Sequence, residues 1–316
     1  MTARPILELR ARIRRAIRDV FDGRGFLEVD TPVLSREVLP EAHIDPIAVV
    51  FAGEAAPRFL QASPEALMKR LLARGAGPIY QFAQAFRAGE RGSRHDVEFT
   101  LLEWYEPGAS LDTAAGLIEA VCAVTLGTRG IEVTTCSHAF STHAGIDPLV
   151  ATADDLEEAL RRRGVRMPEG SDLAAAEERW DRAFELALAE IVQPGLGHGR
   201  PTMVVDWPAS QAALARIDPH RPGVARRFEL FVAGVEVANG WEEETSREVL
   251  EERIATANRI RASAGRGALP VPDLLLAAHG ATMPSGFGAA LGFDRLVMLA
   301  AGADTIAAVR CFTAEA

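Results

Sequence analysis

Apolar residues Ile6, Leu9, Ile13, Ile17, Val20 and Phe21 recur at helical spacing with arginines between them. Residues 6–21 therefore read as an amphipathic helix, opened by Pro5 and closed by Gly23 and Gly25. Phe26 to Pro32 reads as an extended segment stopped by its proline. Short apolar runs at 49–51 and 59–61, on either side of a turn at Gly53 to Pro57, predict two short strands. Ser63-Pro64-Glu65 has the order of a helix start, with Ser63 as N-cap, Pro64 at the first helical position and Glu65 in the first turn; Gly75 and Gly77 end that helix. Runs at 78–86 and 98–105 predict an antiparallel hairpin with a polar tip rich in Arg and Gly. Helices follow at 111–126, 154–163 and 172–191, the last two polar and alanine-rich, like an inserted helical subdomain at about 150–195. Strands at 203–206, 227–231 and 234–237, a helix at 247–263, and a Gly-rich strand running into a helix over 286–301 complete the pattern. Clustered antiparallel strands with peripheral helices mean an α+β fold, read as one domain over residues 1–316.

The chain has 316 residues, 48% hydrophobic and 25% charged, enough to bury a full core and unlike a disordered or collagenous chain. No run approaches the roughly 18 to 20 uninterrupted apolar residues of a membrane helix. The Arg-bearing N-terminus lacks the apolar centre of a signal peptide, so a cytoplasmic location with no membrane partner is expected. A net charge of -10 argues against a broad nucleic-acid surface and leaves room only for a local basic patch. Cys122, Cys136 and Cys311 show no C-x-x-C pair and no His at metal spacing, so buried thiols are expected rather than a zinc site or disulfides.

Two regions carry candidate chemistry. Around the first hairpin, Arg87, Arg94 and His95 surround one loop, while Glu103 and Tyr105, two apart on a strand, share a face. That arrangement suits a phosphate-bearing ligand beside an amine, although a polar hairpin tip is most often merely solvated. In the second, Glu229 and Glu236 fall on adjacent strands of a hairpin. Such a pair binds a divalent cation, raises its own pKa values, or is simply two carboxylates on an exposed sheet face.

Three ordered segments resemble the signature motifs of the class II aminoacyl-tRNA synthetases, in the lysine branch and closest to its short paralogues that modify elongation factor P. Arg24 to Pro32 resembles motif 1; Phe86-Arg87 through His95, Glu98-Phe99-Thr100 and Glu103-Trp104-Tyr105 resemble motif 2; Gly288 to Leu296 resembles motif 3. The resemblance covers nearly the whole chain. It implies a six- or seven-stranded antiparallel sheet flanked by helices, a homodimer through motif 1, and activation of an amino acid by ATP and Mg²⁺.

The same resemblance implies residue roles. Arg87 holds the α-phosphate and the substrate carboxylate. Arg295 reaches the γ-phosphate and stacks over adenine, with Phe99 on the other face. His95, Asp96, Val237, Asn239 and Gly292 line the nucleotide pocket, and Glu229 and Glu236 hold Mg²⁺. Glu103, Tyr105 and Glu243 receive the terminal ammonium of a lysine-like substrate, and Ser63, Pro64 and Glu65 lie by its other amino group. Two positions are distinctive. The family pattern Arg-x-Glu becomes Arg87-Ala88-Gly89, with its carboxylate one later at Glu90. Ala290 stands where lysyl-tRNA synthetases carry glycine, which favours (R)-β-lysine over α-lysine, since one methyl in a tight pocket is worth about 1 to 3 kcal/mol. Because motif 1 begins by residue 24, no room is left for an anticodon-reading barrel. The expected acceptor is a lysine side chain of elongation factor P, and tRNA is not expected. The alternatives are an enzyme charging a tRNA or another small acceptor, and a silent paralogue; Arg87, Arg295, Glu229 and Glu236 speak against the latter.

Overall fold

Helix α1 (Ala3–Asp22) buries Ile13, Ile17 and Phe21, the apolar stripe legible in its sequence. Phe21 stacks on Tyr80 at 4.6 Å and meets Trp104 edge-on at 5.6 Å. This computed structural model describes residues 3–168 and 176–314. After α1 come β1 (Leu27–Glu28), β2 (Leu34–Ser35), β3 (Ile47–Val49), β4 (Arg58–Leu60), α2 (Glu65–Leu72), β5 (Ile79–Phe86), β6 (Glu98–Pro107) and α3 (Leu111–Leu126). Next are β7 (Glu132–Thr135), α4 (Cys136–His143), α5 (Ala153–Arg162), α6 (Ala176–Ala187), β8 (Thr202–Pro208), β9 (Val224–Val232) and β10 (Val235–Glu242). The chain closes with α7 (Arg247–Ser263), α8 (Asp273–Ala278), β11 (Gly286–Gly292) and α9 (Phe293–Ala300).

Two compact units result: Met1–Gly127 with Glu243–Ala316, and Thr128–Glu242. In the first, the strands run in the order β1-β5-β6-β11, with β2-β4-β3 as a small separate sheet. In the second, the order is β10-β9-β8-β7. Each unit thus carries four strands of the main sheet order, eight where six or seven are expected from sequence. Nor are all pairings antiparallel, since β1 lies parallel to β5 and β7 parallel to β8. The α+β reading holds.

Local chemistry explains the start of α2. The start falls one residue later than expected: Pro64, at φ −76°, is itself the N-cap, the helix begins at Glu65, and Ser63, just before the cap, accepts from the Glu65 amide at 3.3 Å through its Oγ. In the second unit, Thr152 and Asp155 form a reciprocal capping box at the head of α5. Its core gathers Phe140, Phe184 and Trp207, with the Phe140 and Phe184 rings stacked at 4.8 Å. The helix expected at 172–191 begins in residues outside those described, and α6 occupies 176–187. The expectation of three buried thiols is corrected at one position, because Cys122 and Cys136 are buried while Cys311 is exposed. Burial pushes the Cys122 thiol up to about 12.

Candidate active site

In the first unit, β6 and β11 pair with Gly288 opposite Tyr105 and Ala290 opposite Glu103. Small residues therefore stand against the two polar ones. The Tyr105 hydroxyl donates to Glu103 Oε1 at 2.7 Å, and Glu103 Oε2 is buried with no hydrogen-bond partner. Helix α2 adds Glu65 and, one turn on, Lys69. Lys69 Nζ lies 2.6 Å from Glu65 Oε1 and 2.6 Å from Glu243 Oε2. Glu65 is 7% exposed and Lys69, Glu103 and Glu243 are each 2% exposed. A β-carbon on Gly288 would fall 2.4 Å from the Tyr105 ring and 2.5 Å from Glu243 Oε1, so glycine makes the room here.

The electrostatics of this pocket follow from its burial. Desolvation pushes the Glu103 carboxyl well above the carboxylate range and Glu65 pushes it further, while the Tyr105 hydrogen bond and Lys69 pull it back. Burial alone would lower the Lys69 ammonium, but Glu243 and Glu65 outweigh it and hold the group protonated, above its ordinary value. Desolvation, then Glu103, raises the Tyr105 phenol, which stays a donor. Three buried carboxyl groups around one ammonium make a cluster that favours further positive charge.

The cationic end of the first unit is looser. Arg87 reaches Ala62 O at 3.4 Å and Glu90 Oε1 at 3.3 Å, and its guanidinium lies 5.0 Å from the centre of the Phe99 ring. Gly89 adopts φ 79°, a left-handed turn that glycine tolerates and that carries Glu90 back to Arg87. Arg295 Nη2 donates to His95 Nε2 at 2.6 Å and its Nε to Arg94 O at 3.3 Å. The Asp96 carboxylate is turned elsewhere: it accepts from the Val97 amide at 2.8 Å, Arg310 Nη1 at 2.5 Å and the Ala314 amide at 3.1 Å. Gly292 ends β11 and leads directly into α9, next to Arg295.

In the second unit, the β9–β10 register places Asn239 opposite Glu229 and Glu236 opposite Phe231, with a bulge between Glu236 and Ala238 that takes in Val237. The bulge lets Glu236 and Asn239, three apart, share the face of Glu229. Arg227 organises that face, donating from Nη2 to Glu229 Oε1 at 2.5 Å and from Nε to Asn239 Oδ1 at 3.1 Å. Among the described residues, no group of three or more His, Cys, Asp or Glu could hold a metal ion. Two carboxylates nevertheless fit Mg²⁺ beside a nucleotide, because that ion takes one or two carboxylates plus phosphate oxygens and water.

The family model for class II tRNA synthetases (D, K and N) matches residues 2–316. The chain belongs to that family. This class II chain is also similar to curated proteins named elongation factor P--(R)-beta-lysine ligase. It is 40% identical over 310 residues to the one from Erwinia tasmaniensis, covering 97% of this chain and 94% of the relative. It is 39% identical over 315 residues to that of Enterobacter sp. (strain 638), covering 98% and 95%. It is 38% identical over 315 residues to that of Salmonella gallinarum, again 98% and 95%. The chain is accordingly an ATP-using aminoacyl ligase of class II type.

Four residues of this class II site escape a reading of the sequence. Lys69, four after Glu65 on α2, has the spacing of an ordinary surface ion pair, yet it is at the centre of the pocket. Gly288 is visible as the start of the segment resembling motif 3, but without a role of its own. Glu41 lies in a loop without pattern; burial pushes its carboxyl up to about 7, with Arg87 opposing and Glu65 and Glu90 adding. Arg261, 4% exposed on α7, ties that loop down through Glu41 O at 3.2 Å, Ile44 O at 2.8 Å and Asp45 Oδ1 at 2.7 Å. Asp45 O in turn accepts from the Ala88 amide beside Arg87 at 2.8 Å.

Proposed function

We propose that the protein activates (R)-β-lysine, or lysine, as an aminoacyl-adenylate and transfers it to a lysine side chain of elongation factor P. One observation carries the amino-acid half: the buried Glu103 oxygen with no partner, in a pocket with Glu65, Glu243 and the Tyr105 hydroxyl. A long aliphatic chain ending in an ammonium supplies what that oxygen lacks, whereas a neutral side chain leaves it desolvated and unpaired. Ala290, opposite Glu103, supports a displaced amino group and hence the β-isomer. The names of relatives that match over nearly their full length support elongation factor P as acceptor.

In the first step, an oxygen of the substrate carboxylate attacks the α-phosphorus of ATP in line, the bond to the β-phosphate oxygen breaks, and pyrophosphate leaves. Arg87 orients the carboxylate and neutralises charge on the α-phosphate through its planar fork, and Arg295 meets the departing phosphates. When bound at Glu229 and Glu236, Mg²⁺ supplies Lewis-acid neutralisation of phosphate oxygens. His95, Gly89, Glu90, Phe99 and Gly292 of the first unit are the candidates for nucleotide contacts there, and Val237 and Asn239 those of the second; Asp96 contributes by anchoring the loop through Arg310. In the second step, the neutral amine of the acceptor lysine attacks the acyl carbonyl, AMP leaves, the amine loses a proton and an amide forms. Ser63, Pro64 and Glu65 flank the amino group nearer the reacting carboxylate. A homodimer through α1 and β1 is part of the proposal, supported by the exposure of Leu7, Leu27 and Val33. No described helix is long and apolar enough to cross a membrane, and a cytoplasmic site of action accords with the proposed acceptor.

ATP–pyrophosphate exchange tests the activation step. Exchange should depend on (R)-β-lysine or lysine and not on arginine or norleucine. Exchange with norleucine as strong as with lysine would contradict the assignment of Glu103.

A further inference from the structure

Among the described residues, Lys69 is the cation placed inside the cluster of Glu65, Glu103 and Glu243. Its Nζ touches a carboxylate from its own helix and a second from the segment after β10, each at 2.6 Å. The nitrogen also lies 5.9 Å from the centre of the Tyr105 ring. Buried ion pairs contribute little net stability compared with apolar residues of the same shape, so an ammonium at the wall of a binding pocket calls for another reason. We propose that Lys69 is a positioning and specificity-determining residue of the amino-acid pocket: by joining Glu65 to Glu243 it offsets negative charge there and tunes the pocket to a substrate carrying two ammonium groups.

Charge counting supports this. Glu65 and Glu243 face Lys69, and the Glu103 carboxyl, raised by its burial, ionises when an ammonium reaches it; with substrate bound, three carboxylates then meet Lys69 and the two ammoniums of a lysine isomer. An amino acid with one ammonium leaves a buried carboxylate unmatched. Lys69 also fixes geometry, because the carboxylates assigned to the two amino groups both bind its single nitrogen. A point charge with rotatable donors suits that bridge better than the rigid fork of arginine.

Removing the charge has a consequence that a merely structural residue would not share. Glu65 and Glu243 both reach the one nitrogen of Lys69, so without it two buried carboxylates face each other with no cation between them, and a proton shared by them competes with the substrate ammonium. The other groups facing this site are Glu103 and Tyr105 from β6, Glu41 from its loop, Glu244, Arg87, and His279 after α8. His279 is lowered by burial, with Lys69 adding.

This inference rests on the proposed function, and the test separates the two. Pyrophosphate exchange with lysine and (R)-β-lysine is measured from about pH 6 to 8.5 in the wild type, Lys69→Met and Lys69→Gln. The glutamine variant keeps a donor to the carboxylates and serves where the methionine variant does not fold. In the wild type, KM should change less than in the variants, the titration of Glu41 near 7 being common to all three proteins. In the variants, KM should rise roughly tenfold as pH falls, as the pair takes up its proton, while kcat at saturation changes far less. Discrimination against norleucine should shrink as well. A wild type that exchanges beside a folded Lys69→Gln with the wild-type KM profile and unchanged discrimination would overturn the role of Lys69 alone. Absence of exchange with either lysine isomer in the wild type would overturn both readings.

Discussion

The two ends of the proposed site in the first unit are built on opposite plans. At the amino-acid end, Lys69, Glu103 and Glu243 are each 2% exposed and their contacts are 2.6 to 2.7 Å long. At the phosphate end, the Arg87 side chain is 26% exposed and its polar contacts are 3.3 and 3.4 Å. A small substrate recognised by charge needs a dry pocket fixed before it arrives, since a buried ammonium tolerates no misplaced partner. Phosphates bring their own charge and several acceptors, so arginines resting on a carbonyl, a histidine or one glutamate suffice until they come. Selectivity is therefore assigned to the closed end and most of the rate to the open one.

The largest effect expected from breaking this contrast is at Arg87. Arg87→Ala should lower exchange by about a thousandfold or more with little loss of thermal stability, because the group is half-buried and weakly engaged. A loss below about tenfold would remove Arg87 from the reaction. At the closed end, Gly288→Ala places a methyl 2.4 Å from Tyr105 and 2.5 Å from Glu243, so the amino-acid KM should rise about 10- to 100-fold while the KM for ATP is spared. Glu103→Gln should weaken kcat/KM for lysine by about ten- to a hundredfold, with the larger part in KM. Equal losses for the amino-acid and ATP constants would erase the division between the two ends.

Much of this contrast was legible in the sequence, for physical reasons that differ by residue. Arg87 and Arg295 sit in segments that resemble ordered motifs, Glu243 was singled out by the same resemblance, and the start of α2 was readable to within a residue because Ser63 and Pro64 act locally. Lys69 was not, because a lysine four after a glutamate has the spacing of a solvated helix pair and only the partner 174 positions away at Glu243 buries it. Glu41 was hidden for the same kind of reason: its loop is held by Arg261, from an element more than two hundred residues distant. Strand β1 has two residues and pairs in parallel, and β7 shows no buried face, so neither carried the alternation that marks a strand.

The smallest expected effect concerns Glu41, which lies under the influence of both Arg87 and Glu65. Its folded value of about 7 lies above the ordinary 4.5, so between them the folded protein binds a proton that the unfolded chain has lost. Stability should therefore fall as pH rises from 4.5 to 7 and then level off. Glu41→Gln should flatten that decline, seen as a smaller difference in urea midpoint between about pH 5 and pH 8. An unchanged difference would move the titration to another group.

Transfer of the activated amino acid tests the account most directly. Purified elongation factor P and bulk tRNA, offered together with ATP, Mg²⁺ and labelled (R)-β-lysine or lysine, would be followed by intact-protein mass and by label on the RNA. The account predicts a mass increase of one β-lysyl or lysyl group on elongation factor P, larger with the β-isomer and lost in Arg87→Ala. Label accumulating on tRNA with elongation factor P unmodified would contradict it.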